Sequence, residues 1–252
     1  MDLWDGMDLT QPGVVACTGA GGKTSVLMSL AKCAKERNLP ILITSTTKMF
    51  VNQVRQYNPI FAASFEQGRH AVELELIKVN TAAWFYKQQD NKVIGILPEW
   101  VDAWYALYRS AYILVEADGA AGCLIKAPAS HEPVVPQSTQ VTIGVLNLQA
   151  IGQRLSLETT HRLPLVLGLL GKQTGDPIVW SDLAKLATHS RGIFQYSQGR
   201  KILLLSGADE KLIPFGRQIA ALLQHHATDM DRCMLVSGYG EQMRLHEVVD
   251  LC

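Results

Sequence analysis

The sequence has no surplus of charge of either sign. Lys plus Arg and Asp plus Glu each number 23, so the formal net charge is zero. No whole-protein positive field draws the chain to nucleic acid or anionic lipid, and neither is expected as a partner. Long apolar runs are also missing. The most apolar stretch, Leu163 to Leu170, contains Pro164 and falls far short of the ~20 residues a bilayer span needs. A basic secretory opening is absent, because Asp2, Asp5 and Asp8 occupy that region. Cysteines are few, at positions 17, 33, 123, 233 and 252, an odd total with no C-x-x-C spacing. That argues against a disulfide framework or structural zinc and fits reduced, mostly buried thiols. A soluble cytoplasmic protein is expected.

What is present suits one sizeable core. The 252 residues are 48% apolar and 18% charged, a globular composition. Gly13 to Thr18 reads as a buried strand that runs into a Gly-rich loop. Leu27, Leu30, Ala31 and Ala34 then recur at helical spacing, and a second strand follows at Ile41 to Ser45. Strand, helix and strand within about thirty residues form a βαβ unit. Residues 65–79 read as a helix. Ala82–Tyr86 and Lys92–Leu97 read as a hairpin, and Pro98 opens a helix bearing Val101, Trp104, Tyr105 and Tyr108. Further strands are expected at Tyr112–Glu116, Gln140–Leu146, Lys201–Leu205 and Cys233–Val236. Helices are expected at His161–Leu170, Ser181–His189 and around Phe215 to Leu223. The pattern predicts one doubly wound α/β domain with a mostly parallel sheet of P-loop NTPase type. A small lid or hairpin is expected as an insertion between about 55 and 110.

The chemistry concentrates in three places. Gly19-Ala20-Gly21-Gly22-Lys23-Thr24-Ser25 follows a strand and opens a helix. Glycines there allow positive φ and close backbone approach to phosphate, Lys23 supplies a cation, and the Thr24 or Ser25 hydroxyl can bind magnesium. Position 17, where a standard Walker A loop has its first glycine, is Cys17. The loop is therefore at least as similar to the T-G-x-x-G-K-T variant of Mur ligases. Thr44-Ser45-Thr46-Thr47-Lys48 ends the second strand, at the edge of the expected crevice. Thr46 is a candidate metal ligand there and Lys48 a candidate contact for an anionic substrate; a plain turn cluster is the alternative. Glu116 and Asp118 end the third strand in Walker B fashion and are candidates to hold magnesium or orient a nucleophile.

Residues 120–138 form an irregular, proline-bearing segment containing Lys126, His131 and Glu132. Lys126 and His131 are candidate acid–base residues and Glu132 a candidate substrate contact. The segment is expected to place Lys126 in one pocket with Glu116 and the Gly-rich loop. Asp209, after the strand ending near Ser206, either meets a base or caps the next helix.

Taken in order, Gly19-Ala20-Gly21-Gly22-Lys23-Thr24, Ile43-Thr44-Ser45-Thr46-Thr47-Lys48-Met49 and Val115-Glu116-Ala117-Asp118-Gly119-Ala120 resemble the YqeC-type family. Lys126-Ala127-Pro128-Ala129 and His131-Glu132-Pro133-Val134-Val135-Pro136 complete the likeness. That family is described as accessory to selenium-dependent molybdenum hydroxylases. The resemblance implies a maturation role, with the hydroxylase apoprotein or its maturation factors as partners. Three activities fit: an Mg2+-dependent ATP or GTP hydrolase or phosphotransferase acting on a second small molecule; a nucleotide-dependent switch or chaperone; or a Mur-like carboxylate-activating enzyme. The chain is short for the last.

Overall fold

The computed structural model describes residues 1–226 and 228–251; Cys252 lies outside them. A nine-stranded sheet forms the centre. Its order is Arg244–Asp250, Arg232–Ser237, Arg200–Ser206, Thr139–Asn147, Val14–Gly19, Tyr112–Glu116, Ile41–Ser45, Thr81–Phe85, Ile60–Phe61. Every pairing is parallel except that of the edge strand Arg244–Asp250.

Alternation along the strands divides the core. Val15 and Cys17 face the helix Lys23–Glu36, packing with Leu27 and Leu30. Val14 and Ala16 face the other way, toward Val72, Val101 and Trp104 from helices Phe65–Val79 and Pro98–Leu107. Leu203 and Leu205 share that second face with helices Leu163–Leu170, Trp180–Thr188 and Ile213–His225. Burial on both faces is why the central strands are continuous apolar runs. This is the doubly wound P-loop type that the sequence pattern predicts. Among the described residues no helix is long and apolar enough to cross a membrane.

The helix over 65–79 has the expected bounds, Phe65–Val79, with the Ser64 side chain accepting from the Gln67 amide and Asn80 closing it in a left-handed conformation. Two readings are corrected. Thr81–Phe85 belongs to the main sheet, and the hairpin is the shorter pair Lys87–Gln89 and Lys92–Ile94. Together with Lys48–Phe50 it makes a separate three-stranded antiparallel sheet. Trp84 and Phe85 are wholly buried by the large sheet's layers, which holds that strand there. His161 is not helical: Thr160–His161 pairs in parallel with Ile125–Lys126, and Arg162 in a left-handed conformation starts the helix at Leu163.

Candidate functional site

The central strand ends at Gly19, and the chain turns through Gly19, Gly21 and Gly22 at φ 91°, 74° and 149°. A side chain at Gly21 would put its Cβ 2.5 Å from that of Asn147 and 2.8 Å from the Leu124 carbonyl oxygen, so only glycine fits. The helix then begins at Lys23 with no side chain capping it. Its first-turn N–H groups have no partner within the helix. Neighbouring strands pin the turn from outside. Asn147 Nδ2 and Ser206 Oγ donate to the Gly21 carbonyl at 3.0 and 2.5 Å, and the Gly19 amide donates to Asp118 Oδ2 at 3.0 Å.

A line of alternating charges runs away from this loop. Lys23 Nζ donates to the Gly19 carbonyl at 2.7 Å and lies 3.2 Å from Asp118 Oδ1. Lys126 Nζ lies 3.0 Å from Asp118 Oδ2 and 3.2 Å from Glu132 Oε2. Arg162 Nη2 in turn donates to Glu132 Oε1 at 2.6 Å. Burial works against the Lys23 ammonium, but Asp118 and Glu116 outweigh it and hold the group above the ordinary lysine value. Burial raises Glu132, yet the Arg162 hydrogen bond and Lys126 reverse this and bring it down to about 2.

Glu116 stands at the rim. Its Oε2 accepts from Thr24 Oγ1 at 2.7 Å. Burial pushes its carboxyl above the usual range, against Lys23 and the Thr24 hydrogen bond. Cys17, at the same level of the sheet, has its thiol pushed far up by burial and by Glu116, as an inert core thiol would.

One cavity of about 820 Å3 lies over the loop. Gly21 to Ser25, Lys48, Glu116 and Glu132 line it. Six expected residues do not: Gly19, Ala20, Thr46, Asp118, Lys126 and His131. Lys126 is 0% exposed behind the wall, because its ammonium is consumed by Asp118, Glu132 and the Gly119 carbonyl. His131 is 73% exposed, with only a 4.0 Å approach to Glu132. The Thr46 hydroxyl donates to the Val134 carbonyl at 2.7 Å. Asp118 is also buried, holding the loop rather than forming the wall. Lys23 lines the cavity but is only 5% exposed.

The sequence reading missed His161, Asn147, Gln149 and Ser206 as lining residues. His161 arrives through its pairing with Lys126, a two-residue strand too short to leave a periodic signal. Burial, Lys126 and Arg162 lower its imidazole, which favours the neutral ring. Asp209 lines the cavity while its Oδ1 accepts from the Lys211 and Leu212 amides at 3.0 and 3.1 Å, so it caps the local turn.

The model of the YqeC protein family matches residues 15–164, which carry the Gly-rich loop, Glu116, Asp118 and the 120–138 segment. The YqeC protein of Escherichia coli (strain K12) is 34% identical over 185 residues, covering 73% of this chain and 71% of that protein. Chloroplast FtsY from Physcomitrella patens superposes with a TM-score of 0.44 at 12% identity. That superposition covers 94% of this chain, which spans 63% of the FtsY chain.

Proposed function

The chain belongs to the YqeC family, and from the site just described we propose that it is a magnesium-dependent nucleoside triphosphate-binding protein, an NTPase or phosphotransferase. One observation carries the reading. An uncapped helix N-terminus behind a positive-φ glycine turn meets a hydroxyl–carboxylate pair, Thr24 and Glu116, 2.7 Å apart in one cavity. The amides suit phosphate oxygens, and Lys23 adds the point charge.

The donor set also fits magnesium. Thr24 and Glu116 offer hard oxygens, as this ion prefers. Among the described residues no three His, Cys, Asp or Glu side chains converge. Phosphate oxygens and water would therefore complete the coordination, which is how magnesium is usually held beside a nucleotide. When bound, the ion would neutralise charge on the transferring phosphoryl group. Lys23 and the loop amides add to that stabilisation, and Glu116 orients metal and water.

A second reading, a nucleotide-dependent switch, is favoured by the line Lys23–Asp118–Lys126–Glu132–Arg162. A phosphate that engages Lys23 competes with Asp118 for it, and the change is felt next door. In either form we take the process served to be maturation of a selenium-dependent molybdenum hydroxylase in the cytoplasm. Loss of hydroxylase activity in cells lacking the protein would support this, and full activity would remove it. Turnover separates the two forms: an enzyme responds to a small molecule, a switch to a protein partner.

Calorimetric titration with ATP and with GTP, with and without magnesium, tests the core claim. Lys23→Ala should weaken triphosphate binding at least tenfold, about 1.4 kcal/mol. Unchanged affinity for both nucleotides would defeat the proposal. Because Lys23 is buried against Asp118, the variant should also lose some stability, so its folding is checked by thermal denaturation in parallel.

A further inference from the structure

Beyond Glu116 the cavity is walled by the small antiparallel sheet, which the nucleotide reading leaves without a role. Lys48 pairs with Ile94 and Phe50 with Lys92, so these four share one face. Met49 and Val93 point the other way and are buried in the core, anchoring the sheet. The outward face turns Lys48, Phe50 and Lys92 to the cavity, and Gln53 joins them, its Oε1 accepting from the Phe50 amide at 3.1 Å. Lys92 Nζ stands 5.1 Å from the centre of the Phe50 ring. Among the described residues neither lysine has a carboxylate within ion-pair distance. Lys23, which lines the same cavity, is by contrast paired with Asp118 at 3.2 Å.

The location matters as much as the charge. The strand of Glu116 lies between the central strand and Ile41–Ser45, which leads directly to Lys48. Asn147, Ser206 and Asp209 lie on the opposite side of the central strand. The Thr24–Glu116 pair marks the metal end of a bound triphosphate, so that end faces the small sheet. The other side is left for ribose and base.

We propose that this face of the small sheet, with Lys48, Lys92 and Phe50, binds a second, anionic small molecule beside the terminal phosphate. Its recognised feature is a carboxylate or phosphate group, held by two ammonium groups that have no internal counter-charge. The aliphatic or aromatic remainder lies along Phe50. This deepens the nucleotide reading and rests on it for the orientation of the triphosphate.

The test uses the full chain saturated with a non-hydrolysable ATP or GTP analogue and magnesium, titrated with citrate and, separately, with inorganic pyrophosphate. The two arms separate carboxylate from phosphate recognition. Binding of at least one probe is expected, and Lys48→Gln/Lys92→Gln should weaken it at least tenfold while analogue affinity stays within about twofold. The proposal is overturned if neither probe binds the wild type, or if the double variant binds the probe unchanged. It is also overturned if the double variant loses the analogue as well, for then these lysines serve the nucleotide's own phosphates. Should the wild type bind no nucleotide, the titrations are run without it. Probe affinity that falls in the double variant but not in Lys23→Ala would keep the anion subsite while the nucleotide reading fails; any other pattern removes both.

Discussion

Lys126 reaches Asp118 at 3.0 Å with neither side chain more than 1% exposed, and the other oxygen of that same carboxylate lies 3.2 Å from Lys23. Asp118 thus sits between two lysines, one on the cavity wall and one behind it. Buried ions of this kind depend on partners, since their desolvation is offset only by complementary charge and hydrogen bonds.

Replacing Lys126 with Met therefore has a defined expected cost. Glu132 keeps Arg162 and Asp118 keeps Lys23, but both carboxylates lose a buried cation. Breaking one member of such a pair costs about 3–5 kcal/mol. Chemical denaturation of Lys126→Met should show a loss of that order. The double variant Asp118→Asn/Lys126→Met should lose less than the sum of the single changes. Strict additivity would mean that the two residues are not coupled, despite their distance.

The same pair shows where sequence reasoning stops. The Gly-rich loop, the strand ending in Glu116 and Asp118, and the βαβ order are local patterns, and the sheet places them as expected. The Lys126 side chain was legible as a charged residue in a proline-bearing loop, but its direction was not. Its burial depends on Glu132, six residues on, and on Asp118, eight residues back, through a loop path that no periodicity encodes. Likewise, His161 and Arg162 reach the site through a two-residue pairing with Ile125–Lys126, a tertiary contact rather than a local preference. The hairpin was displaced by a few residues because Trp84 and Phe85 suit either a hairpin arm or a core strand, and burial decides for the core.

Glu116 yields a prediction with opposite signs for stability and function. Burial raises its carboxyl pKa above the unfolded value. Its contribution is therefore fully present below the unfolded pKa and is lost as pH rises through the folded one. Near pH 7, well above the unfolded value, keeping this carboxyl in the fold costs stability. Glu116→Gln should be at least as stable as the wild type near pH 7, with the Thr24 hydrogen bond kept by the amide oxygen. Magnesium should then strengthen triphosphate binding far less than in the wild type. A variant that is destabilised and keeps its full magnesium response would reverse both expectations.

Glu132 gives the opposite pH dependence. Its folded pKa is brought down to about 2 by Arg162 and Lys126, against burial. Stability from the ionised carboxylate is thus present above the ordinary glutamate value near 4.5 and is lost as pH falls toward 2. Solvent reaches part of this pair, so its contribution is expected to be on the order of 1–2 kcal/mol rather than the full value of the shift. Unfolding is measured from pH 7 to pH 2.5 on the wild type, Glu132→Gln and Arg162→Gln. Both variants should be less stable at pH 7, and the wild-type advantage should shrink below pH 4.5. His161 also faces this cluster, and its lowered pKa destabilises the fold as pH falls below the unfolded histidine value of 6.5. His161 is present in both the wild type and Glu132→Gln, so the difference between the two at each pH from 7 to 2.5 reports mainly the carboxylate. If the gap between wild type and Glu132→Gln stays constant across that range, Glu132 does not gain its stability as an anion, and the line of charges from Lys23 to Arg162 ends at Lys126.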